Sequence, residues 1–431
     1  MDFGWDLGKR PRREMLDAAI VELLPLQALR ARAFGAGSGM QQTPRRERPW
    51  KRLGYAALLR EVARRSGDAA VLARAAAAAD LAAGEADGDN ELRVLARLDQ
   101  AETALLTHEL FGEAASLASV QSFLDAAEGS ATASTMLREG LLRARLAGRR
   151  ALASGDVDAL EVTVKALELL GARLPAGPGR SAQAASAENA CDRGELLLGL
   201  AVRLKDRDRL KALNTELTQV AQRLDADDLP LTFARATALR GQTLAALGDL
   251  DGAAGRIADG MALMVAAAEA APDDYSPIDR ARYGHGIGRA LSALGEACDE
   301  DGLFDHAIAA FDQALAGLDA PGLALRPVVA HDRAAATARR AERQGDLDAL
   351  MRAETAFKAE LRDGDADQDP VAWATVQLAL AEVYQARARL TGQVSAGAGP
   401  ALNAAFDVFA ERGMKILAEA AGAGLRQLRG G

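Results

Sequence analysis

Residues 56–79 read AALLREVARRSGDAAVLARAAAAA, and this stretch contains one unit of a pattern that recurs along most of the chain. Small apolar side chains occur three and four residues apart on both sides of a Gly67-Asp68 turn, as in two amphipathic helices that meet at a tight bend. Similar turns recur at intervals of about 45 residues. We place them at Gly67-Asp68, Gly112-Glu113, Gly155-Asp156, Asp206, Gly248-Asp249, Gly302, Gly345-Asp346 and Gly392. This repeat predicts an all-α solenoid of about eight antiparallel helical hairpins.

The composition favours the same fold class. The 431 residues are 49% hydrophobic but only 4% aromatic, and Ala and Leu supply much of the apolar content. Such side chains suit closely packed helices. Val and Ile are sparse and alternating apolar and polar residues are scarce, so the sequence carries almost no strand signal.

Charge separates the N-terminus from the rest of the chain. Residues 1–60 carry twelve Lys/Arg and six Asp/Glu, whereas the whole chain has a net charge of −9. The acidic remainder makes a nucleic-acid partner unlikely, because a duplex-binding surface needs a basic face. The predicted division is residues 1–55 as a basic N-terminal helix and flexible linker, 56–170 as N-terminal helical hairpins, 171–187 as a Gly/Pro loop and 188–431 as further helical repeats.

Two short features lie within the N-terminal 55 residues. The glycines of residues 35–39 predict a flexible connection. The following run, Arg45 to Arg52, places five basic residues around Trp50. It is interpreted either as a solvated linker in which Trp50 caps the first repeat or as a contact for nucleic acid or anionic lipid.

The cysteines and apolar runs bear on the protein's location. Cys191 and Cys298 match no metal or redox spacing, and their apolar surroundings predict buried free thiols. The apolar run at residues 18–29 is interrupted by polar residues and proline, so we expect neither an export signal nor a membrane span. A reducing cytoplasm is the expected setting.

The stretch at residues 291–314, LSALGEACDEDGLFDHAIAAFDQA, resembles a tetratricopeptide repeat. Gly295 and Ala307 are small at the positions where the two helices of such a hairpin cross, and Leu294 and Phe311 fill the space beside the crossing. Weaker copies surround it. Residues 369–377 are similar to the Pro-x-x-Trp-Ala opening of one group of bacterial tetratricopeptide-like arrays. The resemblance covers roughly residues 230–415.

The resemblance implies a right-handed solenoid whose concave face, lined by the first helix of each hairpin, holds a protein or peptide partner of unknown identity. None of the implied groove positions is Lys or Asn, so a clamp for a peptide carboxylate is not expected. A mixed Arg and Glu groove would suit a charged segment of a partner. The implied partner-binding residues are Arg235, Gln242, Arg289, Ser292, Glu296, Asp332, Arg339 and Glu382.

No motif predicts catalysis, a cofactor or a metal. The Gly-x-Gly-x-Gly cluster at residues 284–288 follows no strand, so close helix packing explains it better than phosphate binding. The alternating aspartates of residues 363–369 lack the glycine and the bidentate glutamate of a calcium loop. The better interpretation is a turn whose Asp369 caps a helix that Pro370 opens.

The leading hypothesis is therefore a non-catalytic adaptor or scaffold. The alternative is a regulatory protein whose basic N-terminal segment contacts nucleic acid or a membrane while the repeats sense a ligand or partner. A divergent enzyme that uses the aspartates of residues 363–369 is a third hypothesis. Self-association stays open, because residues 417–428 are apolar enough to stack on another copy.

Overall fold

The computed structural model describes residues 21–430 except 87, 128–131, 178, 365, 368 and 394–395. Within these ranges the chain forms eighteen α-helices, one short 3-10 helix at Gly39–Gln42 and no strand. The helices are α1 Leu26–Ser38, α2 Arg48–Ser66, α3 Ala69–Gly84, α4 Asn90–Phe111, α5 Ala114–Ala127, α6 Ala133–Ser154, α7 Val157–Gly171, α8 Arg180–Leu204, α9 Arg207–Gln222, α10 Pro230–Asp251, α11 Ala254–Ala270, α12 Pro277–Cys298, α13 Asp301–Ala316, α14 Leu325–Gln344, α15 Leu347–Asp363, α16 Pro370–Thr391, α17 Ala398–Glu411 and α18 Lys415–Gly430. The predicted all-α fold is confirmed.

Helices α2 to α17 form eight hairpins, each with a longer first helix and a shorter second helix. The first helices begin at residues 48, 90, 133, 180, 230, 277, 325 and 370. Successive first helices pack against one another, whereas the second helices pack on the first helices. The first helices therefore form the inner layer of an α-solenoid and the second helices form its outer layer. The break predicted at residues 171–187 is shorter, since α8 begins at Arg180.

Glycine in the left-handed conformation ends several of the first helices. These residues have φ between 68° and 73°, which a side chain rarely adopts, and they include Gly67, Gly112, Gly155, Gly345 and Gly392. After Gly67, Gly155 and Gly345 an aspartate then caps the second helix; Asp68 accepts hydrogen bonds from the backbone N–H groups of Ala70 and Val71. The predicted turns at these glycines are confirmed.

Two predicted turns are wrong. Gly248 and Gly302 lie inside α10 and α13, and the left-handed residues are instead Gly252 (φ 64°) and Asp299 (φ 56°). At Gly248 the reason is packing, because a Cβ there would lie 2.7 Å from the backbone nitrogen of Ile257 in the partner helix.

The glycine cluster of residues 284–288 lies within α12 and serves helix packing. A Cβ at Gly288 would lie 2.5 Å from the Phe311 ring, and one at Gly286 would lie 2.6 Å from Met264 Sδ. Between α10 and α11 the contact is with backbone, because a Cβ at Gly260 would lie 2.5 Å from the backbone oxygen of Gly241. These glycines let neighbouring helices pack at backbone distance.

The N-terminal segment differs from its prediction. The glycine-rich stretch at residues 35–39, predicted to be flexible, continues α1 and enters the 3-10 helix. The basic run is not a linker throughout, because α2 begins at Arg48 with Pro49 in its first turn. A Cβ at Gly37 would lie 3.0 Å from the Tyr55 ring, so α1 packs tightly on α2. This packing stabilises a helix that glycine content alone disfavours.

The array coils so that the sixth hairpin contacts the first. Arg64 Nη1 of α2 donates a hydrogen bond to Asp279 Oδ2 of α12 at 2.9 Å. The backbone nitrogen of Ala324, the residue before α14, donates to the Leu110 carbonyl of α4 in the second hairpin at 2.7 Å. Hydrophobic side chains from both regions, including Leu106 and Leu323, share one cluster. The two ends of this coil therefore hold one another in place.

The segment at residues 21–25 lies at this closure. Arg65, whose side chain is fully buried, donates from Nη1 to the Leu24 carbonyl at 2.8 Å. The Tyr275 hydroxyl donates to the Leu23 carbonyl at 2.9 Å. The segment therefore joins the first hairpin to the loop before α12. Residues 1–20, which hold most of the predicted N-terminal helix, lie outside the described residues.

Glu22 in this segment makes stability depend on pH. Burial raises the pKa of Glu22 to about 7; the hydrogen bond from the Thr232 hydroxyl opposes the rise, and repulsion from Glu188 and Glu61 adds to it. A raised folded-state pKa means that the unfolded chain ionises first as pH rises from about 4.5 to 7, so stability falls across that window.

Glu22→Gln should therefore raise the melting temperature at pH 8 and leave it nearly unchanged at pH 4. The expected gain at pH 8 is about 2 kcal/mol of unfolding free energy. Thermal unfolding at the two pH values measures it, with Glu419→Gln, at an exposed carboxylate, as the control. An equal shift at both pH values would refute the ionisation argument.

The two cysteines have different surroundings. Both are free; Cys191 is buried, and burial raises the pKa of its thiol to about 12. Cys298 at the end of α12 is exposed, so the prediction that it is buried is wrong. Within the described residues no helix has the length and apolar character needed to cross a bilayer.

The C-terminal helix α18 packs on α17. Its buried Ala418 and Ala421 join the cluster around Phe409, and Leu417 and Leu425 are partly covered there. Most of the apolar surface at residues 417–428 therefore faces the array itself. Self-association through this end stays a prediction.

Candidate partner-binding face

The inner layer carries two regions of charged side chains that differ in exposure. The first lies on α2 to α10 and the second on α12 to α16. The predicted partner-binding residues fall in both. Arg235 and Gln242 lie on α10, Arg289, Ser292 and Glu296 on α12, Asp332 and Arg339 on α14, and Glu382 on α16.

The first region begins with an ion-pair cluster that joins α2, α4 and α6. Arg60 lies 3.0 Å from both Asp99 Oδ1 and Glu102 Oε2. Arg138 reaches the same two carboxylates from the other side, at 3.1 Å from Asp99 Oδ1. The exposed fraction of the Asp99 side chain is 6%, so this cluster is a packed part of the inner layer.

The pattern continues through α8 and α10 with alternating sign. Arg149 Nη2 lies 2.8 Å from Glu109 Oε1. Arg235 Nη2 lies 2.7 Å from Asp192 Oδ1 and 2.8 Å from Glu195 Oε1. Because each first helix presents the charge opposite to its neighbour's, these groups pair within the chain. Arg235, a predicted contact residue, is thus held in a structural ion pair.

The pKa of Glu109 shows how strongly the carboxylates of this region interact with the neighbouring arginines. Burial alone would raise the pKa of its carboxyl, but attraction to Arg149 and Arg145 outweighs burial and lowers the pKa to about 2. Similar pairing lowers the pKa of Glu102 and Glu195. These carboxylates are charged at neutral pH and already partnered, so they offer little to a ligand.

The second region is more open. The exposed side-chain fractions are 66% for Arg289, 48% for Glu296, 45% for Arg339 and 49% for Glu382. Arg339 bridges the layer, at 3.2 Å from Glu296 Oε1 and 4.0 Å from Glu382 Oε2. Arg289 Nε is 3.7 Å from Asp332 Oδ2. Exposed pairs of this length are weak, and water or a partner's charges can replace them.

Three predicted residues are placed less favourably for contact. Asp332 accepts a hydrogen bond at 2.7 Å from His285 Nε2 on α12. Ser292 donates to the Gly288 carbonyl of its own helix at 3.1 Å, and Gln242 is half-buried beside Gly286. These three residues lie at the edge of the second region and are less available to a partner than its exposed charged side chains.

Sequence reasoning missed several groups of this face. Glu342 and Arg343 follow Arg339 within one turn of α14, and Arg389 on α16 pairs with Glu342. The signal was present, since Arg343 lies four residues beyond Arg339 on the same helix face. The ion pairs between α4, α6 and α8 were missed because these helices precede residues 230–415, which the resemblance covers.

Two histidines of this region have acidic partners. Besides the His285–Asp332 pair, His331 Nδ1 lies 3.0 Å from Glu360 Oε2. Burial lowers the pKa of His331, but the hydrogen bond and attraction to Glu360 outweigh burial and raise it.

No described group of three or more His, Cys, Asp or Glu side chains is arranged to hold a metal ion. In the aspartate run, Asp369 accepts a hydrogen bond from the Ala372 N–H and caps α16, as its turn interpretation predicts. Residues 365 and 368 and the side chain of Asp363 lie outside the described part.

These features define an α-solenoid of helical hairpins with a charged inner layer. Comparison with known proteins agrees at the level of fold. A Rap protein complexed with Competence and Sporulation Factor superposes with a TM-score of 0.52 at 12% identity, covering 90% of this chain and 98% of that chain. A circular tandem repeat protein with novel repeat topology matches at 15% identity over 93% of this chain and 88% of its own, but its TM-score of 0.25 supports no argument. Neither a protein-family model nor a curated protein matches the chain.

Proposed function

We propose that this protein is a non-catalytic adaptor or scaffold that binds a protein or peptide partner through the concave face of its solenoid. The fold supports the proposal, because stacked helical hairpins present an extended inner surface. The Rap protein of similar fold is bound to Competence and Sporulation Factor. The reducing cytoplasm is the proposed setting, in keeping with two free cysteines.

The observation that carries the proposal is the difference in exposure along the inner layer. The charged side chains described above that pair across α2 to α10 are 6–35% exposed, whereas from α12 to α16 four charged side chains are 45–66% exposed. A partner can reach the second region without breaking a buried ion pair, which would cost several kcal/mol. We therefore place the partner on the last three hairpins.

The residues of this region restrict the chemistry of the partner. Arg289 and Arg339 suit carboxylates, and Glu296 and Glu382 suit Lys or Arg. The four side chains carry charges of both signs, two on α12 and one each on α14 and α16, so a segment with charges of both signs fits better than a uniformly acidic or basic one. Arg235, Gln242, Ser292 and Asp332 then act by holding the surrounding surface in shape.

The double variant Arg289→Glu with Glu296→Arg should abolish partner binding while the protein stays folded. It reverses the charge pattern at exposed positions, where substitutions change stability by less than about 1 kcal/mol. Affinity capture from source-cell lysate, followed by a binding assay with the purified partner, measures the loss. We expect it to be tenfold or more.

The matched control is Arg333→Glu with Asp312→Arg. These side chains form an exposed ion pair between α14 and α13, directed toward the outer layer, with exposed fractions of 42% and 52%. This variant should capture the same partner as the intact protein. A partner retained equally by both variants would rule out the concave face as its binding site.

A further inference from the structure

A second surface lies at the N-terminal end of the array, away from the charged inner layer. A cavity of about 460 Å³ opens between α1 and α3 above α2. Phe34, Met40, Tyr55 and Leu81 supply its larger apolar walls, and Arg52 and Arg74 also line it. We call it the N-terminal groove.

The floor of the groove is held in position by contacts within the chain. Tyr55 packs against Gly37, where a Cβ would lie 3.0 Å from the ring. Arg74 Nη2 donates a hydrogen bond to the Tyr55 hydroxyl oxygen at 2.6 Å. The ring is therefore fixed between α1 and α3, and the groove needs no rearrangement to exist.

The walls leave large apolar side chains in water. The exposed fraction of Phe34 is 74% and that of Leu81 is 54%. Along α3 the lining residues are Arg74, Ala77, Ala78 and Leu81. These positions have the i, i+3, i+4, i+7 spacing of one helix face; Arg74, Ala77 and Leu81 are exposed on it, and Ala78 is buried against α2. A groove between two helices with such a face has the shape that receives another helix.

The surroundings are basic in an otherwise acidic protein. Residues 26–52 carry seven Lys/Arg and one Glu, against a net charge of −9 for the whole chain. Arg52 is largely buried and pairs with Glu85 at 2.7 Å, whereas Arg74 is exposed and has no described carboxylate within ion-pair distance. Arg30 is exposed on α1 one turn before Phe34. The groove thus combines an apolar centre with positive charge at its edge.

We propose that the N-terminal groove binds an acidic amphipathic helix of a partner protein. The apolar face of that helix packs on Phe34, Tyr55 and Leu81, and its acidic residues meet Arg30 and Arg74. This site is separate from the concave face. Either surface can bind its partner without the other, so the two proposals fail independently.

The test uses the full-length protein and a fluorescently labelled synthetic peptide as the probe. The peptide carries Leu and Phe at helical i, i+3, i+4, i+7 spacing and Glu or Asp at the remaining positions. Fluorescence anisotropy should show saturable binding that weakens as salt is added. A peptide of the same composition with scrambled order, which cannot form one apolar face, should bind at least about tenfold more weakly.

Variants locate the site. Phe34→Ser with Leu81→Ser should weaken binding of the amphipathic peptide about tenfold or more, and Arg74→Glu should weaken it while reducing its salt dependence. The matched control is Val162→Ser with Leu169→Ser. These side chains on α7 are exposed to a similar extent, at 71% and 59%, and lie outside the groove. Binding should not change in the control.

Other results overturn the proposal. Equal binding of the scrambled peptide, no saturable binding, or binding unaffected by the Phe34 and Leu81 substitutions would exclude an amphipathic helix. Binding of phosphatidylserine vesicles that depends on Phe34, without discrimination between peptides, would assign the groove to a lipid surface. Dimerisation that is lost in the Phe34 and Leu81 variant, seen by sedimentation, would assign it to a second copy of the chain.

Discussion

Gly260→Val should destabilise the protein by about 3 kcal/mol or more. A Cβ at this position would lie 2.5 Å from the Gly241 carbonyl oxygen and 2.6 Å from the Ala245 backbone nitrogen. Both are backbone atoms and cannot rotate away, so α10 and α11 must move apart. Such overpacking costs 1–3 kcal/mol where side chains can adjust, and more where backbones collide. Urea unfolding measures the change through the midpoint.

Gly255→Val is the matched control on the same helix. No atom lies within 4 Å of a Cβ at Gly255, so this variant has the same β-branched side chain without the collision. Its unfolding free energy should differ from that of the intact protein by about 0.5 kcal/mol or less. If the two variants unfolded at the same midpoint, helix propensity rather than the close crossing would account for the loss.

Turn chemistry is the part of this fold that local sequence predicts well. Gly67, Gly155 and Gly345 precede an aspartate, and this pair supplies both the left-handed residue and the following N-cap. Gly248 has the same Gly-Asp signature, yet the chain continues as helix for three more residues. The difference lies in Ile257, whose backbone approaches Gly248 closely. A glycine used for packing cannot be told from a turn glycine without its partner helix.

The resemblance to tetratricopeptide repeats placed the predicted contact residues on the first helices but gave no information on their pairing. Arg235 on α10 and Arg289 on α12 are both among these residues. Arg235 meets Asp192 and Glu195 on α8, whereas Arg289 has only Asp332 at 3.7 Å. The acids of the neighbouring helix decide which arginine is available. Those acids lie in other hairpins, so the pairing of each arginine can be determined only from the packed structure.

The N-terminal groove was beyond prediction for a related reason. Glycine at residues 35–39 indicates a flexible chain when considered alone. In the structure Gly37 permits contact with Tyr55, and burial of that contact outweighs the low helix propensity of glycine. The apolar surface of Phe34 and Leu81 then forms between two residues that lie 47 positions apart in sequence (81 − 34).

Asp279→Ala should cost about 3 kcal/mol at pH 7, since it removes a largely buried carboxylate that holds the sixth hairpin to the first. Asp279 accepts hydrogen bonds from Arg64 Nη1 at 2.9 Å, from the Ser276 hydroxyl at 2.7 Å and from Arg282 Nη1 at 3.1 Å. Only 11% of its side chain is exposed. Removing such a carboxylate leaves its charged partners without a counterion in a region with little water. Thermal unfolding should show one transition at a lower temperature.

A double-mutant cycle with Arg64→Ala separates this closing contact from the cap that Asp279 forms with Ser276. If the contact across the coil matters, the two single losses should exceed the loss of the double variant by about 1 kcal/mol or more. Strictly additive losses would show that Asp279 acts only within its own helix. Glu168→Ala, which breaks the exposed pair with Lys165, is the matched control and should change stability by less than about 0.5 kcal/mol.

Acid should remove the effect of Asp279→Ala, and this dependence tests the electrostatic origin directly. Burial alone would raise the pKa of Asp279, but attraction to Arg64 and Arg282 outweighs it and holds the pKa well below its usual range. A depressed folded-state pKa means that the stabilisation is complete above the unfolded value of about 3.8 and fades as pH falls below it. The difference between the intact protein and the variant should therefore be constant from pH 8 to pH 5 and shrink below pH 4. A difference that stayed constant down to pH 2 would mean that Asp279 stabilises the coil by packing rather than by charge.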